Sequence, residues 1–275
     1  MTRGGLLAFA ELAGSAATRD YVAEHVAFVS TSIDRITPKT TDDDVAAVGA
    51  ATGWADRAAV VTEPFHDWVL AGRFPGGRPA WERGGARFVD DLDPFERRKL
   101  SLLNGSHTLM AYAGAARGHR TVAQAIGDPV VRAWVEEFWS EAVRHLPSEG
   151  LDLDAYRSAL LDRFHNARIQ HLLDQIGQDG TTKLRVRIVP LLKAERAAGR
   201  EGAASVRALG AWVAAARGGR LPVDRAGAAL AAAATEPGER AVVALLRLLD
   251  HEVADEPSIV ASVARAAAAF DRDQH

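Results

Sequence analysis

The 275-residue sequence contains no cysteine and only two methionines. Without cysteine, these residues form no disulfide, present no thiolate nucleophile and supply no cysteine ligand for zinc. The sequence also has no run of about 18 apolar residues, so it predicts no membrane-spanning helix. With 33 basic and 36 acidic residues, the net charge of −3 gives no reason to expect a nucleic acid or a membrane as partner. These observations predict a cytoplasmic globular protein.

Signatures of nucleotide binding are missing as well. The sequence has no Walker A motif and no G-x-G-x-x-G turn after a strand. It also lacks the alternation of strands and helices that predicts a βαβ unit. No residue can therefore be assigned to a dinucleotide from these patterns.

Lysine is rare, because only four of the 33 basic residues are lysine: Lys39, Lys99, Lys183 and Lys193. Lys99 lies in the segment 93–107, whose opening Asp-Pro-x-Glu is typical of a helix start. At about 100° per residue, with Lys99 at zero, Glu96 falls at about 60°, His107 at about 80° and Asn104 at about 140°. Leucines occupy the same arc. Four polar groups therefore share the face that should point at the core.

This face supports two interpretations. In the functional one, burial among leucines disfavours the charged form of a lysine amine, so Lys99 takes a hydroxyl proton while hydride leaves for a nicotinamide. Asn104 then donates to the developing alkoxide, His107 holds the same or a neighbouring oxygen, and Gly105 lets a ligand or another backbone approach. In the structural one, the lysine extends to solvent, the histidine is satisfied in the core and the glycine serves packing. The first predicts a secondary-alcohol dehydrogenase.

Elsewhere the pattern predicts a mainly α-helical protein with a small antiparallel β-sheet. Residues 4–27 have helical spacing of apolar residues, and helical patterns dominate from Asp93 to the end. The alanine- and arginine-rich part from residue 194 is interpreted as four covering helices. Residues 28–38 are predicted as a short extended segment that ends at a proline. The sheet is predicted from three β-like runs separated by glycine and proline, at 59–63, 68–70 and 87–89.

Three further polar features are open to more than one interpretation. Asp34-Arg35, between two isoleucines, is either functional or an internal ion pair that anchors a loop. Glu63 precedes Pro64-Phe65 and is interpreted as part of a structural turn rather than as a catalytic group. Lys183 stands at a predicted helix start, where the helix dipole disfavours its charge, and is either a ligand contact or without a role.

Several of these segments occur, in the same order, in a known family. They are Ser32–Pro38, Glu63–Phe65, Phe88–Asp91, Lys99–His107, Arg163-Phe164 and Asp179–Lys183. Together they resemble the C-terminal domain of the mannitol dehydrogenase family, the polyol-specific long-chain dehydrogenases, over residues 4 to about 200.

The resemblance implies a multi-helical domain like the C-terminal domain of 6-phosphogluconate dehydrogenase. It implies that residues 1–27 adjoin a dinucleotide-binding domain, that 28–200 bind substrate and catalyse, and that 201–275 form helices packed on them. The implied reaction converts a secondary alcohol of a polyol or sugar acid to a ketone, with NAD or NADP and without a metal. Mannitol/fructose, mannonate/fructuronate and mannitol 1-phosphate chemistry all occur in the family.

The resemblance also implies roles for individual residues. Lys99 matches the catalytic base, Asn104 an amide that holds the oxyanion, and His107 an imidazole that positions substrate. The implied substrate-binding residues are Asp34, Arg35, Glu96 and Lys183.

Members of this family begin with a Rossmann-type domain, and the pattern predicts that this chain starts just after it. We therefore expect the dinucleotide-binding domain to be missing or to belong to a separate chain. The alternative is a truncated or split, non-catalytic domain that pairs with a separate Rossmann chain or acts as a structural module.

Overall fold

The computed structural model describes residues 2–272 and divides them into two compact units. The first unit comprises residues 2–35 and 64–96, and the second comprises residues 36–63 and 97–272. The alanine-rich residues 201–272 therefore belong to the same unit as the segment around Lys99. The two units are defined by which residues contact one another in the structure. The three segments predicted from the sequence, 1–27, 28–200 and 201–275, were defined by composition and by the family resemblance, so their bounds differ.

Helices make up most of the described residues, which confirms the mainly helical fold. No helix in residues 2–272 is long and apolar enough to cross a membrane. A 3-10 helix covers Trp81–Gly84, and π-helical segments cover Lys99–Asn104 and Met110–Gly114. The α-helices are α1 (Thr2–Ala13), α2 (Ala16–His25), α3 (Asp42–Thr52), α4 (Asp93–Arg98), α5 (Gly105–Leu109), α6 (Val122–Gly127), α7 (Pro129–Val143), α8 (Leu153–Phe164), α9 (Leu173–Gly177), α10 (Gly180–Arg187), α11 (Val189–Ala197), α12 (Ala203–Arg217), α13 (Gly227–Ala234), α14 (Glu239–Leu249), α15 (His251–Asp255) and α16 (Pro257–Arg272).

The sheet lies in the first unit and is mixed rather than wholly antiparallel. It contains β1 (Ser30–Asp34), β2 (Asp67–Ala71) and β3 (Ala86–Val89) in that order. Strands β1 and β2 are antiparallel, but β2 and β3 are parallel. Strand β1 comes from the segment that was predicted only as extended. A parallel pair needs a long crossover, and residues 72–85, which include the 3-10 helix, provide it. The run at 59–63, predicted as a strand, is irregular.

The core of the second unit is built around α12 and α7. Trp212 on α12 and Phe138 on α7 are fully buried. Gly210 lets α12 approach α16, because a Cβ atom at this position would lie 2.5 Å from the Cβ atom of Ala266. The many alanines of the C-terminal part thus allow close helix packing. In the described residues this part forms α12 to α16, one helix more than the four predicted.

Candidate active site

Lys99 and Asn104 lie on the same π-helical turn at the start of residues 99–114, which we call the central helix. In this turn the Gly105 N–H donates to the Leu100 carbonyl, five residues earlier. A residue five positions along an α-helix is rotated by about 140°, whereas the wider π turn returns it closer to the starting side. The π winding therefore brings Lys99 and Asn104 closer to one face than the α-helical pattern predicts.

Side-chain donors satisfy carbonyl groups of this turn. The Leu102 carbonyl accepts hydrogen bonds from the Ser106 hydroxyl at 2.6 Å and from the Trp139 indole N–H at 3.0 Å. The Asn104 carbonyl accepts one from the Thr108 hydroxyl at 3.0 Å. Because a buried carbonyl without a partner is costly, these donors help the chain to retain the π winding.

Gly105, between Asn104 and His107, has no space for a side chain. A Cβ atom at this position would lie 2.5 Å from Cε1 and 2.7 Å from Cζ of Phe138 on α7. The group that approaches this glycine is therefore a phenyl ring, which corrects the interpretation that Gly105 admits a ligand or another backbone.

We expect Gly105→Ala to lower the free energy of unfolding by about 1–3 kcal/mol, because the added methyl group overpacks the core against Phe138. Urea unfolding measures the change. Gly127→Ala is the matched control, since a methyl group on Gly127 would meet no neighbouring atom of residues 2–272 within 4 Å. Adding Phe138→Leu to Gly105→Ala should restore part of the loss. Equal effects at the two glycines, or no coupling with Phe138, would contradict the explanation.

His107 lies one turn beyond Asn104 and is buried, with 6% of its surface exposed. Its ring lies 5.0 Å from the Phe164 ring and 4.7 Å from the His171 ring, measured between centroids. Within residues 2–272, the buried Nε2 atom of His107 has no hydrogen-bond partner, and neither has Nδ1 of His171. Unsatisfied buried polar atoms are rare in folded proteins and suit a site that a ligand completes.

Burial and nearby positive charges lower the pKa values of the two imidazoles. Burial and then the nearby charges of His171, Arg187, Arg163 and Lys183 hold the pKa of His107 well below its usual value. Burial, with a smaller contribution from Lys183, lowers the pKa of His171 to about 4. Both imidazoles are therefore neutral near pH 7, and His107 can exchange hydrogen bonds with an oxygen without carrying charge.

Lys183 is positioned by the start of α10. The Asp224 carboxylate accepts hydrogen bonds from the Thr181 N–H at 2.8 Å and from its hydroxyl at 2.9 Å, which fixes the first turn. The Lys183 ammonium donates to the Ile176 carbonyl at 2.8 Å. Burial, and then the neighbouring Arg187, lowers the pKa of Lys183, whereas Asp179 and Asp224 oppose the shift. The charge of Lys183 is thus disfavoured, chiefly through burial.

The two histidines predict a loss of stability in acid. The unfolded chain binds a proton at His171 below about pH 6.5, while the folded chain resists until about pH 4. The contribution of His171 to the free energy of unfolding is therefore fully present above about pH 6.5. It decreases as the pH falls towards 4, and at about pH 5 the free energy of unfolding is lower by roughly 1–2 kcal/mol from His171 alone. His171→Gln should reduce the difference in unfolding free energy between pH 7 and pH 5, and the exposed His251→Gln should not. An unchanged difference in His171→Gln would refute the assignment.

The other predicted substrate-binding residues belong to the first unit. Asp34 is buried at the last position of β1, Arg35 follows it and is exposed, and Glu96 is exposed on α4. Lys99, Asn104, His107 and Lys183 belong to the second unit. Within residues 2–272, no group of three or more histidine, aspartate or glutamate side chains is arranged to hold a metal ion.

Glu63 and Arg163 form a buried ion pair that the sequence motifs did not connect. Arg163 donates from Nε to both carboxylate oxygens of Glu63, at 3.2 and 3.0 Å, and from Nη2 at 2.8 Å. Glu63 also accepts a hydrogen bond from the Ile36 N–H. The pair explains why two of the motifs, Glu63–Phe65 and Arg163-Phe164, contain a charged residue, and it confirms a structural role for Glu63.

His171 and Arg187 were not identified from the sequence. His171 lies in an irregular segment before α9, and Arg187 ends α10 among several other arginines. For Arg187, the sequence contains one signal. A helix was predicted from Lys183 onward, and residues four positions apart lie on the same side of a helix, so this pattern places Arg187 beside Lys183.

Two family models match this chain. Residues 91–271 match the mannitol dehydrogenase C-terminal domain, and residues 2–83 match the mannitol dehydrogenase Rossmann domain.

Individual relatives agree with these matches. The D-mannonate oxidoreductase of Escherichia coli is 37% identical over 67% of this chain and 40% of the relative. A mannitol 2-dehydrogenase of Pyrenophora tritici-repentis is 37% identical over 72% of this chain and 36% of the relative. The structure of Pseudomonas fluorescens mannitol 2-dehydrogenase in a ternary complex with NAD and D-mannitol has a TM-score of 0.88 and 31% identity. That match covers 99% of this chain and 57% of the other, so the chain spans well under two thirds of these relatives.

The Rossmann match corrects one expectation from the sequence. A dinucleotide-binding domain was expected to be missing or to belong to a separate chain, but residues 2–83 contain Rossmann-domain sequence. Of the three strands, β1 and β2 lie within these matched residues and β3 follows them. The sequence analysis missed this match because it searched for a glycine-rich turn. The alternative of a non-catalytic fragment rested on the same expectation and is not favoured. The chain belongs to the mannitol dehydrogenase family.

Proposed function

We propose that this chain carries the substrate-binding and catalytic groups of a metal-independent, NAD(P)-dependent dehydrogenase that oxidises a secondary alcohol of a polyol or sugar acid to a ketone. The observation that carries the proposal is the central helix. Its π turn holds Lys99 and Asn104 towards one side, and His107 follows within one turn with an unsatisfied buried nitrogen. Membership of the family supports the same chemistry.

Each group has a separate task in this proposal. The Lys99 amine accepts the proton of the substrate hydroxyl as the C–H bond breaks. The Asn104 amide donates a hydrogen bond to the oxygen, which stabilises negative charge as it develops. His107 is neutral and orients the same or a neighbouring oxygen through its unpartnered Nε2. Asp34, Arg35, Glu96 and Lys183 are proposed to contact the remaining hydroxyl or charged groups of the substrate.

The nicotinamide cofactor supplies the hydride acceptor when it is bound. The match of residues 2–83 to the Rossmann domain of the family supports a cofactor site in this part of the chain. A glycine-rich turn that would hold the pyrophosphate is not found in the sequence. We therefore assign no residue of this chain to the cofactor phosphates.

The substrate class follows from the relatives. Their names specify D-mannonate, mannitol and D-arabinitol, which are all open-chain polyhydroxy compounds. We therefore propose a mannitol/fructose or mannonate/fructuronate type of reaction, with a hexitol phosphate as a further candidate. The cytoplasmic location remains a prediction.

The proposal is tested by incubating the full chain with NAD or NADP and, in turn, D-mannitol, D-arabinitol, D-mannonate and D-mannitol 1-phosphate. We expect reduced cofactor to form with at least one of them, together with an equal amount of the ketone. Asn104→Ala should lower kcat by about 10²–10³-fold, as expected for loss of an oxyanion donor. Absence of turnover with every substrate, or equal activity in Asn104→Ala, would refute the proposal.

A further inference from the structure

Arg187 is a largely buried cation that has no carboxylate partner within the described residues. Its Nη1 donates to the Thr108 hydroxyl at 3.1 Å and, more weakly, to the Asn104 carbonyl at 3.4 Å. Its Nε is buried and has no hydrogen-bond partner in residues 2–272. Burial lowers the pKa of Arg187, and Tyr112 opposes the shift with a smaller contribution. A buried guanidinium without a counter-charge is unfavourable unless a ligand supplies one.

Two other buried charges in this unit are compensated by charged partners. Arg163 is paired with Glu63. Glu195 is buried as well, and although burial raises the pKa of its carboxyl group, hydrogen bonds from Arg200, Arg144 and His145 hold that pKa well below its usual range. Arg187 differs from these residues because its partners in the protein are a neutral hydroxyl and a neutral carbonyl.

The groups around Arg187 add positive charge rather than removing it. Lys183 lies one helical turn earlier on α10 and donates to a carbonyl oxygen. Asp179 and Asp224 lie near Lys183, but they accept backbone hydrogen bonds from Arg225 and from Thr181 and Ala226. The imidazoles of His107 and His171 are neutral near pH 7.

The neutral partners of Arg187 also locate it at the proposed active site. Thr108 follows His107 directly, and Asn104 is the proposed oxyanion donor. The charge of Arg187 is felt by the His107 ring. The hydrogen bonds to Thr108 and to the Asn104 carbonyl place the guanidinium against the helical segment that carries Asn104 and His107. Its fork of N–H groups matches the geometry of a carboxylate or phosphate.

We infer that Arg187, together with Lys183, binds an anionic group of the substrate and makes the site selective for anionic over neutral polyhydroxy substrates. The inference rests on the proposed function and narrows its substrate class. The anionic group is either the carboxylate of a sugar acid or the phosphate of a hexitol phosphate, which share this chemistry.

The test compares kcat/KM of the full chain for D-mannonate, D-mannitol 1-phosphate and neutral D-mannitol. In Arg187→Met, the ratio of kcat/KM for the preferred anion to that for D-mannitol should fall about 10- to 100-fold, as expected for loss of a charged hydrogen bond. The change should lie mainly in KM. If the ratio falls for D-mannonate, the group that Arg187 binds is a carboxylate, and if it falls for D-mannitol 1-phosphate, the group is a phosphate.

Arg185→Met is the matched control. Arg185 is on the same helix, is exposed and donates to the Leu248 and Leu249 carbonyls, so its loss should leave the ratio unchanged. If Arg187 only braces the helix through Thr108, anionic and neutral substrates would lose activity equally, and this result would overturn the inference. Arg187→Lys retains the charge but not the fork, so it should show a smaller loss of selectivity and carries the test if Arg187→Met fails to fold.

Failure of the proposed function has a different outcome from failure of this inference. If the wild-type chain turns over none of the compounds, the dehydrogenase proposal fails. Calorimetric titration with the same compounds then tests the inference alone. Tighter binding of an anionic compound than of D-mannitol, lost in Arg187→Met, supports it, and equal binding of all three contradicts it.

Discussion

Replacing Lys99 by methionine should lower kcat by about 10²–10⁴-fold, the range expected when a general base is removed. Methionine retains most of the length and apolar surface of the lysine side chain, so the π turn should persist. Without the amine, the substrate hydroxyl has no acceptor for its proton as hydride leaves. KM should change little, because the proposed contacts of Asn104, His107 and Lys183 with the substrate remain. Steady-state kinetics with the best substrate measures both constants.

The matched control is Lys193→Met. Lys193 is one of the chain's four lysines, but it is partly exposed on α11 and forms ion pairs with Asp250 and Glu252. We expect its loss to leave kcat within about twofold of wild type, since exposed ion pairs contribute little. Wild-type turnover in Lys99→Met would remove the basis of the catalytic assignment.

The second large effect is expected in stability, at the buried pair of Glu63 and Arg163. Glu63→Leu should lower the free energy of unfolding by about 3–5 kcal/mol, because it leaves the Arg163 guanidinium buried without its partner. The Ile36 N–H loses its acceptor as well. Only 2% of Glu63 and 8% of Arg163 are exposed, so water cannot replace the missing contacts. Chemical denaturation measures the loss.

The double variant Glu63→Leu/Arg163→Met separates the ion pair from the unpaired charge. It should recover most of the loss of Glu63→Leu, since replacing both partners by apolar groups avoids the buried charge. Glu137→Leu is the surface control, because Glu137 forms an exposed ion pair with Arg207. Its loss should lower the free energy of unfolding by less than about 1 kcal/mol. A double variant as unstable as the sum of its two single variants would show that the pair contributes through more than charge compensation.

Much of the candidate site could be predicted from the sequence because it lies on one helix. Lys99, Asn104 and His107 are close in the sequence, and the helical pattern of leucines around them indicated the face they share. The pattern assumed a regular α-helix, however, and π winding has no periodicity that a short segment reveals. The donors that support it, such as Trp139, come from a different helix and leave no local trace.

Long-range contacts account for most of what the sequence did not show. Glu63 and Arg163 are separated by 100 positions, so nothing local connects them. The parallel pairing of β3 depends on a crossover with no regular hydrophobic pattern, and alternation within a strand is the same in both pairings. The lack of a carboxylate partner for Arg187 among the described residues likewise emerges only once the whole unit is folded.

Transfer of deuterium from substrate to cofactor tests the central claim most directly. The wild-type chain is incubated with oxidised cofactor and a substrate deuterated at the carbon that carries the reacting hydroxyl. The reduced cofactor is then examined by mass spectrometry. The account predicts that the reduced cofactor carries the deuterium, that the product is the matching ketone, and that Lys99→Met forms neither at an appreciable rate. Reduced cofactor without deuterium, or none with any polyol or sugar acid, would contradict it.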